Sequence, residues 1–178
     1  MYELPIALCG VGIRTDYRVI LDIIVALNDP DLSEEEKALA TIQILYTDWN
    51  EIKDYQEALQ QAFWFISMGE NSKKFSPKIM DWEQDFKLII PSINKVLGQE
   101  VRSLSYMHWW TFLGAYYEIG ESTFSNIVNI RSKRSRGRKL EKHEQEFYNE
   151  NREVVDMRTK YSKEEKEEIE RFSSILQI

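Results

Sequence analysis

From Tyr17 onward, apolar residues return at every third and fourth position in one segment after another, and few glycines or prolines interrupt them. Only seven Gly and four Pro occur in 178 residues. That spacing places the apolar side chains of each segment on one face of a helix, and the scarcity of turn residues leaves little room for a loop-rich β architecture. The expected fold class is mainly α: a compact helical domain of about six to eight helices, entered through a short N-terminal extended or hairpin segment. Residues 1–136 are expected to form the core, and 137–178 a C-terminal helical extension that docks on another subunit or stays partly mobile.

"LPIALCGVGIRTDY" carries aliphatic residues around Gly10 and Gly12, which suits the extended entry. Gly10-Val11-Gly12 lacks the third glycine and the long strand-turn-helix setting of a dinucleotide-binding fingerprint, so it reads as a turn. Thr15 is the expected cap of a first helix with Tyr17, Ile20, Leu21, Ile24 and Leu27 inward, closed by Asp29-Pro30. Ser33 and Glu36 form a capping box for a second helix running to about Tyr46. A third has Tyr55, Leu59, Ala62, Phe63 and Ile66 on its buried side and Gly69 as its end, before the polar loop "ENSKKFSP". In the fourth, Trp82, Phe86, Ile89, Ile90 and Ile93 face inward, and Pro91 is expected to kink or split it.

"SYMHWWTFLGAYYEIG" looks uniformly aromatic, yet stepping about 100° per residue puts Tyr106, Trp109, Trp110, Phe112, Leu113, Tyr116 and Tyr117 on one arc of roughly 160°. His108, Thr111, Ala115 and Glu118 take the other. Burying the broad face contributes on the order of 1.5 to 3 kcal/mol per large side chain, which marks the central helix of the core. Gly120 closes it, and a shorter helix follows with Phe124, Ile127 and Val128 inward and Arg131 on that same side. Beyond "SRGR", Leu140, Phe147, Val154 and Met157 are sparse on a polar ground. The tail reads as a last helix with Ile169, Phe172 and Leu176 on one edge, or as a segment that orders only on a partner.

Charge is uneven. The net charge of -7 divides into 10 basic and 19 acidic residues over 1–130, and 13 and 11 over 131–178. An acidic surface disfavours sequence-independent binding to phosphate backbones, whose affinity comes from many Lys and Arg contacts. Only the strip from Arg131 to Lys142, with seven basic residues, could attempt it. Phosphate contacts, placement at a helix C-terminus, and docking on an acidic partner all account for such a strip. Docking carries most weight, because the rest of the chain is acidic and copies could join head to tail. Arg131, Arg134, Arg136 and Arg138 are then candidate oligomer contacts, with Phe147, Val154, Phe172 and Leu176 as helix anchors.

No reactive constellation appears. Cys9 is the single cysteine, so neither an internal disulfide nor a cysteine zinc cluster can form. His108 and His143 lack convergent partners for metal or nucleophile chemistry, and read as structural or solvated. Asp81 with Asp85, and Glu118 with Glu121, read as ordinary surface acid pairs, and Arg18 with Asp22 as an i,i+4 ion pair. No catalytic, cofactor or metal site is expected, and the chain is not expected to be an enzyme. Without an apolar run long enough to span a bilayer, or a leader-like start, the expected place is the cytosol.

"TDYRVILDIIVALNDPDLSEEEKALATIQILY", "DWEQDFKLII", and "HWWTFLGAYYEIGESTFSNIVNIRSK" followed by "KLEKHEQEFYNEN" resemble the gene-product-fifteen-like phage tail family of siphophages and prophages of Gram-positive bacteria. The resemblance spans roughly Arg14 to Asp156. It includes Asp16, Tyr17 and Arg18 in the first motif and Trp109, Trp110 and Phe112 in the third. The segment before Thr15 is short for the family, and nothing after Met157 aligns with it.

What the resemblance implies is a mainly helical tail-assembly chaperone in the cytoplasm of the bacterial host. It would self-associate on the tape-measure protein, keep it soluble, and leave as the tail tube polymerises, so it would not remain in the mature virion. The major tail protein is a further partner under this reading; no cofactor, membrane or nucleic acid is. The rival expectation is a nucleic-acid-binding or host-interaction phage protein using residues 131–142.

Overall fold

The chain turns before it coils. A computed structural model describes residues 3–70 and 77–176, with the side chains of Phe172, Ile175 and Leu176 outside the described residues. Ala7–Leu8 (β1) pairs antiparallel with Val11–Gly12 (β2), Leu8 opposite Val11. Cys9 and Gly10, at φ of 51° and 77°, form the two-residue loop. Two successive left-handed residues supply the twist that a tight hairpin requires.

Nine α-helices follow among the described residues, one more than the upper expectation, because the stretch after Gly137 divides into two short helices before the last. In α1 (Tyr17–Leu27) the cap is Asp16 and not Thr15. The Asp16 carboxylate accepts the Arg18 amide at 3.0 Å, while the Thr15 hydroxyl is engaged with Tyr106 Oη at 2.7 Å. α2 (Glu34–Leu45) starts on the expected Ser33/Glu36 box. Its last carbonyls are met by the Arg14 guanidinium, which donates to Gln43, Ile44 and Tyr46 at 3.1, 2.9 and 2.8 Å. A cation there also complements the negative end of the helix.

α3 (Tyr55–Ile66) is rotated from expectation: Ala58, Ala62 and Phe65 are buried, whereas Tyr55 and Phe63 are 45% and 43% exposed. The helix ends before Gly69, whose φ of +83° lets its amide reach back to the Trp64 carbonyl at 2.8 Å. The polar loop expected from Glu70 to Pro77 lies mostly outside the described residues. α4 (Trp82–Leu97) runs unbroken through Pro91. Pro91 sits on the exposed face, where water can satisfy the carbonyl its missing N–H leaves free.

α5 (Trp109–Tyr117) begins after His108, so Tyr106 lies outside the helix and is 54% exposed. Tyr117 is also exposed, Ala115 is buried, and the helix stops at Glu118, two residues before Gly120. His108 is buried rather than on an outer face. Its Nδ1 accepts the Trp110 amide at 3.1 Å as the helix cap, which leaves Nε2 to donate to the Pro5 carbonyl at 3.0 Å. α6 (Thr123–Ser135) buries Phe124, Ile127 and Ile130.

α7 (Lys142–Glu150) and α8 (Arg152–Val155) join the body through a second small core in which Tyr148 and Val155 meet Ile127 and Ile130. Every described side chain of α9 (Lys163–Leu176) is exposed. The main core lies between α1, α2, α3, α4 and α5, and its aromatic centre stacks Tyr17 on Phe112, with ring centroids 4.3 Å apart. Among the described residues no helix is long and apolar enough to cross a membrane.

Candidate functional site

The basic strip begins inside the protein. Arg131, on the inner face of α6, is 5% exposed. Its Nη1 and Nη2 donate to the two Asp85 carboxylate oxygens at 2.6 and 3.0 Å. Nε donates to the Val155 carbonyl at 2.6 Å, Nη2 to Val154 at 2.9 Å and Nη1 to Ile79 at 3.3 Å. A planar, permanently charged fork suits this bidentate buried role. The surface contact expected of Arg131 is therefore ruled out by its position.

Asp85 is 1% exposed and also accepts the Asp81 amide at 3.0 Å. Asp81 caps α4, so the supposed surface acid pair is a buried structural one. Burial alone would raise the Asp81 carboxyl, but hydrogen bonds from Lys78 and the Gln84 amide outweigh it and hold the group below the ordinary carboxylate range.

Two further cations of the strip are also used within the chain. Lys133 reaches buried Glu144 at 2.6 Å, and this bond, helped by the Glu141 amide, holds the Glu144 carboxyl below its usual value. Arg134 pairs with Asp156 and lies 4.1 Å over the centre of the Tyr148 ring. Lys142 lies 4.0 Å from Glu146 on the surface of α7, and the remaining three, Arg136, Arg138 and Lys139, are exposed and form no ion pair among the described residues. Phe147 is half-buried against the second core, while Val154 remains 44% exposed. The burial of Glu144 and Tyr148 was not read from the sequence; Glu144 three residues after Glu141 was the available signal of a capping box there.

The motif residues converge from distant parts of the chain. Tyr17 N–H donates to the Met107 carbonyl at 3.0 Å, Met107 N–H to Asp16 Oδ2 at 3.1 Å, and Trp109 N–H to the Thr15 carbonyl at 2.7 Å. Arg18 donates to the Leu104 carbonyl at 2.6 Å and pairs with Asp16, not with Asp22 as expected. Trp109 and Trp110 then place their indole N–H groups on the Ile66 and Phe65 carbonyls, at 2.9 and 2.8 Å, closing the end of α3. The aspartate of "DWEQD" pairs with the arginine that ends "NIR", as Asp85 with Arg131. Each quoted motif thus braces another.

The family model described as bacteriophage Gp15 protein matches residues 6–157. The chain belongs to the bacteriophage Gp15 protein family. Membership makes it a phage protein and points to a structural or assembly role. The Gp15 match starts ahead of the motif resemblance at Arg14, so the hairpin belongs to the shared region. It ends just after the Val154 and Val155 carbonyls that Arg131 holds, and leaves α9 outside. A search of curated proteins and of solved structures finds no match.

Chemically, the Gp15 fold gathers its polar groups for bracing. No group of three or more His, Cys, Asp or Glu is placed to hold a metal ion among the described residues. No buried side-chain nitrogen or oxygen there is left without a hydrogen-bond partner. His143, with its side chain 73% exposed, stands near Glu141 at the start of α7.

Proposed function

We propose that this chain is a tail-assembly chaperone of a long-tailed phage or prophage of Gram-positive bacteria. Copies associate on the tape-measure protein, keep it soluble, and give way to tail-tube subunits. The work is non-enzymatic, needs no cofactor, and takes place in the host cytoplasm, with the major tail protein as a neighbour and no place for the chaperone in the finished virion.

The observation that carries this reading is the family match over residues 6–157. Two features of the chain support it. A coat for a long client relies on repeated weak contacts between copies, and the free cations Arg136, Arg138 and Lys139 face a protein whose net charge is -7. With three of the strip's seven cations tied into the fold and a fourth, Lys142, beside Glu146, the phosphate-binding alternative has fewer contacts to draw on. The test is co-elution: purified chain and its phage's tape-measure protein should leave a size-exclusion column together, with several copies of the chain per client. Separate elution at all mixing ratios defeats the reading.

A further inference from the structure

α9 lies on the surface, and none of its described side chains is buried in its own chain. It is 14 residues long, every described side chain on it is exposed, and Ile169 on its edge is 48% exposed. A lone helix of this length is marginal in water, and most helical stability in proteins comes from packing an apolar face.

A matching surface lies between α1 and α4. A groove of about 380 Å³ has Leu21, Val25, Trp82 and Phe86 among its lining residues, and Val25 is 42% exposed. Its charges are polarised. Arg18 and Arg102 flank it beside the start of α1, with side chains still 40% and 61% exposed despite their own ion pairs. Glu83 stands at the other end, where Val25 and Glu83 also line the neighbouring cleft with Asp29 and Lys160.

α9 is polarised too: residues 163–170 hold five glutamates against two lysines, and Arg171 follows. Arg18 to Val25 spans ~10 Å along α1, and Glu164 to Arg171 spans ~10 Å along α9. The two charge patterns therefore match in length when the glutamate-rich start of α9 lies at Arg18 and Arg102, and Arg171 lies near Glu83.

The chain's own α9 enters from the wrong end for this. Lys160 binds Glu83 at 2.6 Å, and the Lys163 amide donates to Asp31 at 2.7 Å, so α9 starts beside the acidic end. Folding into its own groove would lay its glutamates along Glu83 and Asp22. We infer that α9 of one copy lies in the α1–α4 groove of a second copy, its start toward Arg18 and Arg102 and Ile169 over the apolar floor. This contact rests on the self-association proposed above and names its two surfaces.

The test uses purified full-length protein without any client, followed by sedimentation velocity. Ile169→Asp spoils the helix and Val25→Glu the groove; both positions are exposed, and unchanged thermal melting checks the fold. Wild type should self-associate, and each variant should lose at least tenfold in association constant. Mixing the two variants should restore a 1:1 complex, because one supplies an intact groove and the other an intact helix. A monomeric wild type, the result if α9 folds onto its own groove or the groove awaits a foreign helix, overturns the contact. So do variants that associate like wild type, or a mixture that stays monomeric. A chain that is monomeric here yet solubilises the tape-measure protein overturns this contact while leaving the chaperone reading standing.

Discussion

Arg131 and Asp85, 46 positions apart, form a bidentate ion pair with side chains 4% and 1% exposed, at the place where α4, α6 and the end of α8 meet. The pair orders two carbonyls of the C-terminal segment as well as one another. Losing one partner leaves a charge buried without compensation, which typically costs about 3 to 5 kcal/mol. Arg131→Met and Asp85→Leu should each destabilise by about that much in urea unfolding. The double variant should cost less than the two together, though the freed carbonyls of Val154, Val155 and Ile79 keep it below wild type.

Trp110 tests the closure of α3. Trp110→Phe retains much of the ring but removes one of the two N–H groups that meet the Phe65 carbonyl, the other being the Met68 amide at 3.1 Å, and should cost about 0.5 to 1.5 kcal/mol. Thermal or urea unfolding reads this directly. A loss indistinguishable from zero means that the Met68 amide alone satisfies the carbonyl.

His108 is an unusual cap, and its two nitrogens do separate jobs. Asparagine is a good N-cap, so His108→Asn should recover most of the cap while losing the contact to Pro5. His108→Ala loses both and should fall about 0.5 to 2 kcal/mol below the asparagine variant in unfolding free energy.

Acid should loosen α7. The Glu144 carboxyl is held below its ordinary value of 4.5, chiefly by the hydrogen bond from Lys133. A carboxylate with a depressed folded value contributes stability that is complete above its unfolded value and is lost as pH falls through the folded one. The stability difference between wild type and Glu144→Gln should thus be constant from pH 6 to about 5 and shrink below about pH 4.5. Denaturant titrations across that range measure it.

The helical class, the capping box at Ser33 and the inward face of α4 are local patterns, and they were legible because a few neighbouring residues determine them. The rotation of α3 was not. It has apolar side chains on two arcs, and around the expected Ala62 close packing selects Ala58 and Phe65 in place of Tyr55 and Phe63. The roles of Arg131 and Asp85 were hidden for another reason. A charge reads as surface until its partner is known, and nothing local pairs positions so far apart. The same limit hid the cap made by His108 and the docking of Asp16 against Met107. Inward placement of Arg131 on α6 was the one available warning that the basic strip does not belong wholly to the surface.

The most direct measurement of the proposed function is the soluble fraction of the cognate tape-measure protein, expressed in bacteria with and without this chain. The account predicts that the client is mostly insoluble alone, becomes soluble on co-expression, and co-purifies with several copies of the chain. Equal solubility in both cases, with no co-purification, contradicts it.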